Sequence, residues 1–174
     1  MGGVSRPSRT RGRHLSAPAS IQASHDTSKF SCGHESLDRW LKAAALKSEG
    51  RSARSYVVCD RREVAGYYCL ATGSVARTAA PKRIARNTPD PIPVVIIGRL
   101  AVGEQFQGRG IGAGLLRDAF ARILQLSGSV GVRAVLVHAI DDSAAEFYRQ
   151  YGFIEFPGGS RTLFLPLETL RKAL

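Results

Sequence analysis

The stretch Leu100-Ala-Val-Gly-Glu-Gln-Phe-Gln-Gly-Arg-Gly-Ile-Gly-Ala-Gly-Leu-Leu116 constrains this chain more than any other. It is entered by the apolar run Val94 to Val102, which is rich in β-branched residues and preceded by prolines, the pattern of a buried strand. It leaves through Leu116, Ala119, Phe120 and Ile123, widened by Leu115 and Leu124, at the spacing of a helix with one buried face. Between strand and helix stand Gly103, Gly108, Gly110, Gly112 and Gly114. A helix that opens on glycines leaves its first N–H groups uncovered, and such groups attract anions. The stretch predicts a strand–loop–helix unit that holds a phosphorylated ligand.

The letters of the loop narrow the ligand. Gly103 to Gly108 has the spacing of a nucleotide-binding Walker loop, but Arg109 and Gly110 stand where its Lys and its Mg²⁺-binding hydroxyl are needed. Gly108-Arg-Gly110 begins a dinucleotide fingerprint that continues with Ala113 in third place, without a preceding βαβ unit or an acidic residue for the ribose. Both nucleotide readings are weak.

Around this unit the chain reads as α/β. Leu15 to Ile21 predicts a Pro-interrupted edge strand. Phe30 to Leu46 predicts a helix with its entry turn, carrying Leu37, Trp40, Leu41, Ala44 and Ala45 as its buried stripe and stopping at Gly50. Arg54–Cys59 and Val64–Val75 predict a hairpin across the charged turn Asp60-Arg-Arg-Glu63. Residues 76–93, with four prolines, predict a mobile basic loop with room for one helical turn. Beyond the central helix come a strand at Ala134–Ala139, a short helix at Ser143–Tyr151 ended by Gly152, and a final hairpin of Phe153–Phe156 with Thr162–Leu165. The order β-α-β-β-β-α-β-α-β-β implies an α/β sandwich on a mixed, mostly antiparallel sheet flanked by helices. Residues 15–174 are expected to form one domain, and residues 1–14, with Arg6, Arg9, Arg11 and Arg13 and no acid, a disordered basic arm.

Charge points to a partner. Twenty-five Lys and Arg against 14 Asp and Glu give a net +11, which suits a polyanion whose phosphates release counterions on binding. No run approaches the ~18 apolar residues of a membrane helix. Cys32, Cys59 and Cys69 form no disulfide framework; Cys32 and His34 lie two apart, as metal ligands can, but no second pair stands at ligand spacing and His14, His25 and His138 are scattered, so free thiols in a reducing cytoplasm and no metal are expected.

Gln105-Phe-Gln-Gly-Arg-Gly110, directly after a strand and opening a helix, fits Q/R-x-x-G-x-G/A and resembles the acyl-CoA pyrophosphate loop of the GNAT acetyltransferase superfamily. Ala134 to Phe153, ending Phe147-Tyr148-Arg-Gln-Tyr-Gly-Phe153, resembles that superfamily's last strand–helix unit. The resemblance covers about residues 30–165. It implies a GNAT-like sandwich with acetyl-CoA as cosubstrate. Leu100, Ala101 and Val102 would lie along the pantetheine arm, Gln107, Gly108, Arg109, Gly110, Ile111 and Gly112 around the pyrophosphate, Phe147 beside them, and Tyr148 would protonate the departing thiolate. Spacing singles out no base for the acceptor amine among Glu104, Asp141 and Glu146. A Lys amine (pKa ~10.4) costs about 3.5 kcal/mol more to deprotonate near neutrality than an α-amine (~7.7–8.0), so a site with no dedicated base suits an α-amine.

Leu15-Ser-Ala-Pro18, His25-Asp26, Phe30-x-Cys-Gly33-x-x-x-Leu37-Asp38-x-Trp40-Leu41 and Gly98-Arg-Leu-Ala-Val102 are similar to the GNAT toxins of bacterial toxin–antitoxin operons. This implies acetylation of the α-amine of aminoacyl-tRNA and inhibition of translation in the cytoplasm. It also implies neutralisation by a ribbon-helix-helix antitoxin, operator DNA binding only as the toxin–antitoxin complex, and a homodimer. Arg77, Lys82, Arg83, Arg86 and Arg99 are the candidate tRNA contacts, expected with Arg51, Arg54, Arg61 and Arg62 to edge one face around the acyl site. Arg99 stands apart, because a cation inside an apolar strand needs a partner or a polar cleft. The alternatives are an acetyltransferase for a small-molecule or protein amine, and a non-catalytic module that binds acyl-CoA or nucleic acid.

Overall fold

The computed structural model describes residues 14–174, so the expected basic arm lies, apart from His14, outside the described residues. In chain order the elements are β1 (Ala19–Ser20), α1 (Glu35–Ala43), α2 (Ala45–Ser48), β2 (Arg54–Asp60), β3 (Glu63–Val75), α3 (Lys82–Ala85), β4 (Ile92–Val102), α4 (Ile111–Leu126), β5 (Ala134–His138), α5 (Asp142–Arg149), β6 (Ile154–Glu155), β7 (Thr162–Pro166) and α6 (Leu167–Ala173). The strands form one sheet in the order β1-β2-β3-β4-β5-β7-β6. Neighbours are antiparallel except β4 and β5, which are parallel. This is the mixed, mostly antiparallel sheet with flanking helices that the element order predicts.

Two features of β4 shape everything around it. The β3–β4 ladder pairs Cys69 with Arg99 and then Leu70 with Ile97, leaving Gly98 as an extra residue on β4. A bulge of one residue shifts which side chains face which side. Before it, Val95 and Ile97 pack with Leu115, Leu116, Ala119 and Ile123 of α4; after it, Leu100 and Val102 do. Ala101 turns instead to the opposite face, in the cluster of Phe30, Leu41, Val64 and Tyr67 beneath α1. The second feature is that β4 pairs with β5 only over Val94–Ile97 against Ala134–Val137. Past the bulge the two parallel strands part, and a cleft opens between them.

α4 is anchored by polar groups as well as by its apolar stripe. The buried Tyr68 hydroxyl donates to Asp118, which also receives Nε of Arg122 at 2.8 Å. The Arg122 guanidinium lies 3.9 Å over the Tyr56 ring and reaches the Pro18 carbonyl at 3.3 Å. This network joins α4 to β3, β2 and the segment before β1. On the other face, α3 seats Ile84 on Ile92, Val94, Leu136 and Phe164.

Where elements differ from the sequence reading, local chemistry accounts for it. The edge strand shrinks to Ala19–Ser20, although Ser16 and Ile21 donate to Cys59 and Ser55 of β2 at 2.8 and 2.9 Å. Pro18 has no N–H to continue that ladder. The helix expected to run to Leu46 breaks at Ala44, whose φ is −119°. The basic loop contains α3, which begins directly after Pro81. α6 was not legible, because a seven-residue helix with only Leu167 and Leu170 buried shows little periodicity.

Candidate active site

The cleft between the parted strands has a volume of about 350 Å³. Leu100, Ala101 and Val102 form one wall, Ile140, Asp141, Ala144, Phe147 and Tyr148 the other, and Gln107 and Gly112 close one end. Seven of the sequence candidates thus meet in one cavity. Because Leu100 to Val102 have left β5 behind, their edge of β4 is open to an extended ligand arm.

The loop at the end of the cleft leaves its backbone uncovered, the condition an anion needs. After a single 3₁₀ turn at Glu104–Phe106, Gly108 and Gly110 take φ of 75° and 77°, which an L side chain adopts only with strain. A Cβ on either glycine would meet no protein atom within 4 Å. The backbone is therefore bare on its outer side, where a bulky charged group can approach. Gly110 caps α4 without a side-chain hydrogen bond, so no side chain of the cap covers the first helical N–H groups. Gly112 lies against Phe147, whose ring a Cβ would meet at 3.8 Å. Arg109 is exposed, with its guanidinium 5.9 Å from the Phe106 ring centroid. Ile111 is buried beneath the loop and serves it from the core side. Gln107 works through its amide, which donates to the carbonyls of Val102 at 2.9 Å and Cys32 at 3.2 Å, tying the loop to the strand end and to the entry of α1.

Tyr148 is 6% exposed and held edge-on between Phe147 and Phe153, each with its ring centroid 5.3 Å away. Burial, and secondarily the nearby Cys69, push its phenol above the ordinary value of 10, so it carries its proton throughout the neutral range. In that range the phenol has a proton to give.

The three carboxylates weighed as bases separate cleanly. Glu146 is paired with Arg149 at 2.9 Å on the outer side of α5, and Glu104 accepts from Ser31 at 3.3 Å on the surface. Asp141 alone lines the cleft, where it caps α5 by accepting from the Ala144 N–H at 2.7 Å. Its second oxygen lies 3.3 Å from Nε2 of His34. His34 thus reaches from the start of α1 across to the start of α5, a contact the sequence reading missed because the two residues are far apart in the chain. Cys32 also lines the cleft, but burial first, and then its hydrogen bond with Asp38, push its thiol up to about 11. It is not a nucleophile at neutral pH. Among the described residues no group of three His, Cys, Asp or Glu side chains could hold a metal ion.

The basic candidates fall into two places. Arg99 sits just past the bulge on the α1 face, its guanidinium 4.3 Å over the Trp40 ring, which stacks in turn on Tyr67. The partner this strand cation requires is an aromatic platform. Arg77, Lys82, Arg83 and Arg86 are all exposed near the opposite end of β4, on and around α3.

These residues fit an acyl-CoA: a bare glycine loop for the pyrophosphate, an open strand edge for the pantetheine arm, and a protonated phenol in the cleft between. A family model described as an acetyltransferase (GNAT) domain matches residues 51–155. The chain belongs to the GNAT acetyltransferase family. It is similar to a tRNA-acetylating toxin of Mycobacterium tuberculosis, at 44% identity over 157 residues that cover 90% of this chain and 95% of the relative. Among solved structures it is similar to AtaT complexed with acetyl-methionyl-tRNAfMet, with a TM-score of 0.83 and 30% identity, covering 92% of this chain and 99% of that one. It is also similar to a tyrosine-to-phenylalanine mutant of the AtaT toxin bound to the C-terminus of the antitoxin AtaR and acetyl-CoA, with a TM-score of 0.79 and 29% identity, covering 91% and 97% of the two chains.

Proposed function

We propose that this chain transfers the acetyl group of acetyl-CoA to the α-amine of aminoacyl-tRNA and thereby blocks translation. The observation that carries this reading is the 44% identity to a tRNA-acetylating toxin across nearly the whole of both chains, on a fold whose cleft retains a buried, protonated Tyr148. The net charge of +11 agrees with a polyanionic acceptor and disfavours cationic polyamines or aminoglycosides.

In this reading the N–H groups of 108–112 hold the pyrophosphate at the start of α4, and Arg109 adds charge. The backbone of Leu100, Ala101 and Val102 runs beside the pantetheine arm, and a strand N–H there polarises the thioester carbonyl. Phe147 and Gly112 close the cleft over the arm. The uncharged α-amine attacks the carbonyl directly, with no acyl-enzyme on Cys32. The C–S bond breaks as the C–N bond forms, Tyr148 donates to the departing sulfur, and the proton that leaves the nitrogen goes to solvent, from which the Tyr148 phenolate is reprotonated. Arg99 on its Trp40 platform faces the acceptor end of the tRNA. Arg77, Lys82, Arg83 and Arg86 lie too far along the sheet for that end and act on the rest of the RNA.

The same reading puts the protein in the cytoplasm beside its substrate, as a homodimer neutralised by a ribbon-helix-helix antitoxin and engaging operator DNA only in that complex. Among the described residues no helix is long and apolar enough to cross a membrane. A non-catalytic binding module is disfavoured by the placement of Tyr148 in the cleft. The test is cell-free translation: addition of the protein with acetyl-CoA is expected to stop synthesis, and Tyr148→Phe to leave it running. Undisturbed synthesis with the wild-type protein overturns the assignment.

A further inference from the structure

A second basic site lies at the end of the sheet opposite the acyl loop. Arg83, Arg133, Arg171 and Lys172 line a cleft of about 230 Å³ together with a single acid, Glu168. All four cations belong to exposed residues. Among the ion pairs of the described residues none involves any of them. Four like charges gathered in one concavity repel; the single carboxylate there, Glu168, offsets only one of them, and an anion from outside relieves the rest.

The site is firmly seated. Arg133 donates its backbone N–H to the Pro93 carbonyl at 2.9 Å and accepts from the Leu167 N–H at 3.0 Å, so it is fixed between the starts of β4 and α6. Arg171 reaches Ser127 at the end of α4 at 3.4 Å. Arg83 is carried by α3, whose Ile84 is buried in the sheet. The backbone that carries Arg83 and Arg133 is therefore anchored where α3, β4 and α6 meet, and Arg171 is tied to α4.

Distance decides what kind of anion fits. Arg133 sits beside Pro93, seven residues before Leu100 along β4, or about 23 Å at ~3.3 Å per residue. No group here touches the thioester or the attacking amine. A polyanion that delivers its end to the cleft and continues along the sheet can occupy both places at once, and its phosphates are the only part that need reach this far.

We propose that the Arg83–Arg133–Arg171–Lys172 cleft seats the phosphate backbone of the acceptor RNA, away from its aminoacyl end. This rests on the reading of aminoacyl-tRNA as substrate and adds the surface that holds it. The contact carries no sequence information; it contributes affinity and orientation through counterion release.

The test measures binding of fluorescent aminoacyl-tRNA to the full chain across a salt series, separately from acetyl transfer. The triple variant Arg133→Ala/Arg171→Ala/Lys172→Ala is expected to bind roughly ten- to a hundredfold more weakly near 0.15 M salt, with a log–log salt slope lower by about 2–3, since each phosphate contact contributes ~0.7–0.9. At saturating tRNA its turnover stays near wild type, so the defect appears in KM. The Arg133→Lys/Arg171→Lys variant keeps most of the wild-type slope, which a purely structural role would not predict. Unchanged affinity and slope in the triple variant, with its melting temperature intact, overturn the proposal. Failure of the tRNA reading looks different: wild-type protein would transfer no acetyl group to bound tRNA whatever happens at this cleft.

Discussion

The side-chain amide of Gln107 donates to the Val102 carbonyl at 2.9 Å, closing the glycine loop onto the end of the strand that walls the acyl cleft. A second bond from the same nitrogen, to Cys32 at 3.2 Å, brings the entry of α1 to the same point. One side chain thus sets the position of the loop relative to the cleft and to the segment that carries His34.

Replacing Gln107 by Ala removes both bonds, at about 1–2 kcal/mol in total. The expected result is an acetyl-CoA affinity about tenfold weaker by calorimetry, with turnover at saturation little changed. Gln107→Glu places a carboxylate against two carbonyl oxygens and is expected to weaken binding further. Unaltered affinity in both variants would mean that the loop holds its shape without this residue.

Tyr148→Phe keeps the ring between Phe147 and Phe153 and removes only the hydroxyl. Loss of proton donation lowers kcat by roughly 10²–10³ with the KM for acetyl-CoA unchanged. Because burial raises the wild-type phenol above its ordinary value, the donor form persists as pH rises. The wild-type rate is then expected to climb with deprotonation of the α-amine near pH ~8 and to level off, without a fall before pH ~10. A rate still rising steeply at pH 10 would indicate a Lys-type amine.

Cys32 gives a prediction with a definite sign. Its thiol is pushed up to about 11 in the fold, whereas a thiol in the unfolded chain ionises near 8.5. Between those values the unfolded state has released a proton that the folded state keeps, so stability falls as pH rises. Denaturation midpoints are expected to drop between pH 8 and 10.5, and less so in Cys32→Ala. At neutral pH the same variant keeps activity within a few-fold, and wild-type protein incubated with acetyl-CoA alone shows no acetyl-thioester by mass spectrometry. A stable acetyl-protein would contradict direct transfer.

Arg99 is stacked 4.3 Å over Trp40 rather than ion-paired. Arg99→Ala is expected to raise the KM for aminoacyl-tRNA about tenfold and lower the salt slope by about one. Arg99→Lys keeps the charge but not the planar stack, and falls between. Normal acceptor affinity and salt dependence in Arg99→Ala would remove this residue from the acceptor site.

The loop, the strand before it and Tyr148 were legible because their signals are local: glycines at fixed offsets from a strand, and an aromatic pair on a short helix. The parity shift at Gly98 was not, since a bulge depends on the pairing of β4 with β3 and leaves no mark in β4 alone. Without it Leu100 and Val102 would face α1, away from the cleft. His34 was weighed only as a possible metal ligand beside Cys32, and its partner Asp141 only as a base; their contact exists because the starts of α1 and α5 flank one cleft. The company each basic residue keeps in space was not legible either. Arg77, Lys82, Arg83 and Arg86 are close to one another in sequence, but Arg83 shares its cleft with Arg133, Arg171 and Lys172, which only the sheet brings together.

The most direct measurement is acetyl transfer itself. The protein is incubated with labelled acetyl-CoA and total aminoacyl-tRNA, the RNA is digested with nuclease, and the aminoacyl-adenosine fragments are weighed. Label is expected on the α-amine of the amino acid in one or more fragments, and none on uncharged tRNA. Label confined to protein or small amines, with every aminoacyl-adenosine unmodified, would contradict it.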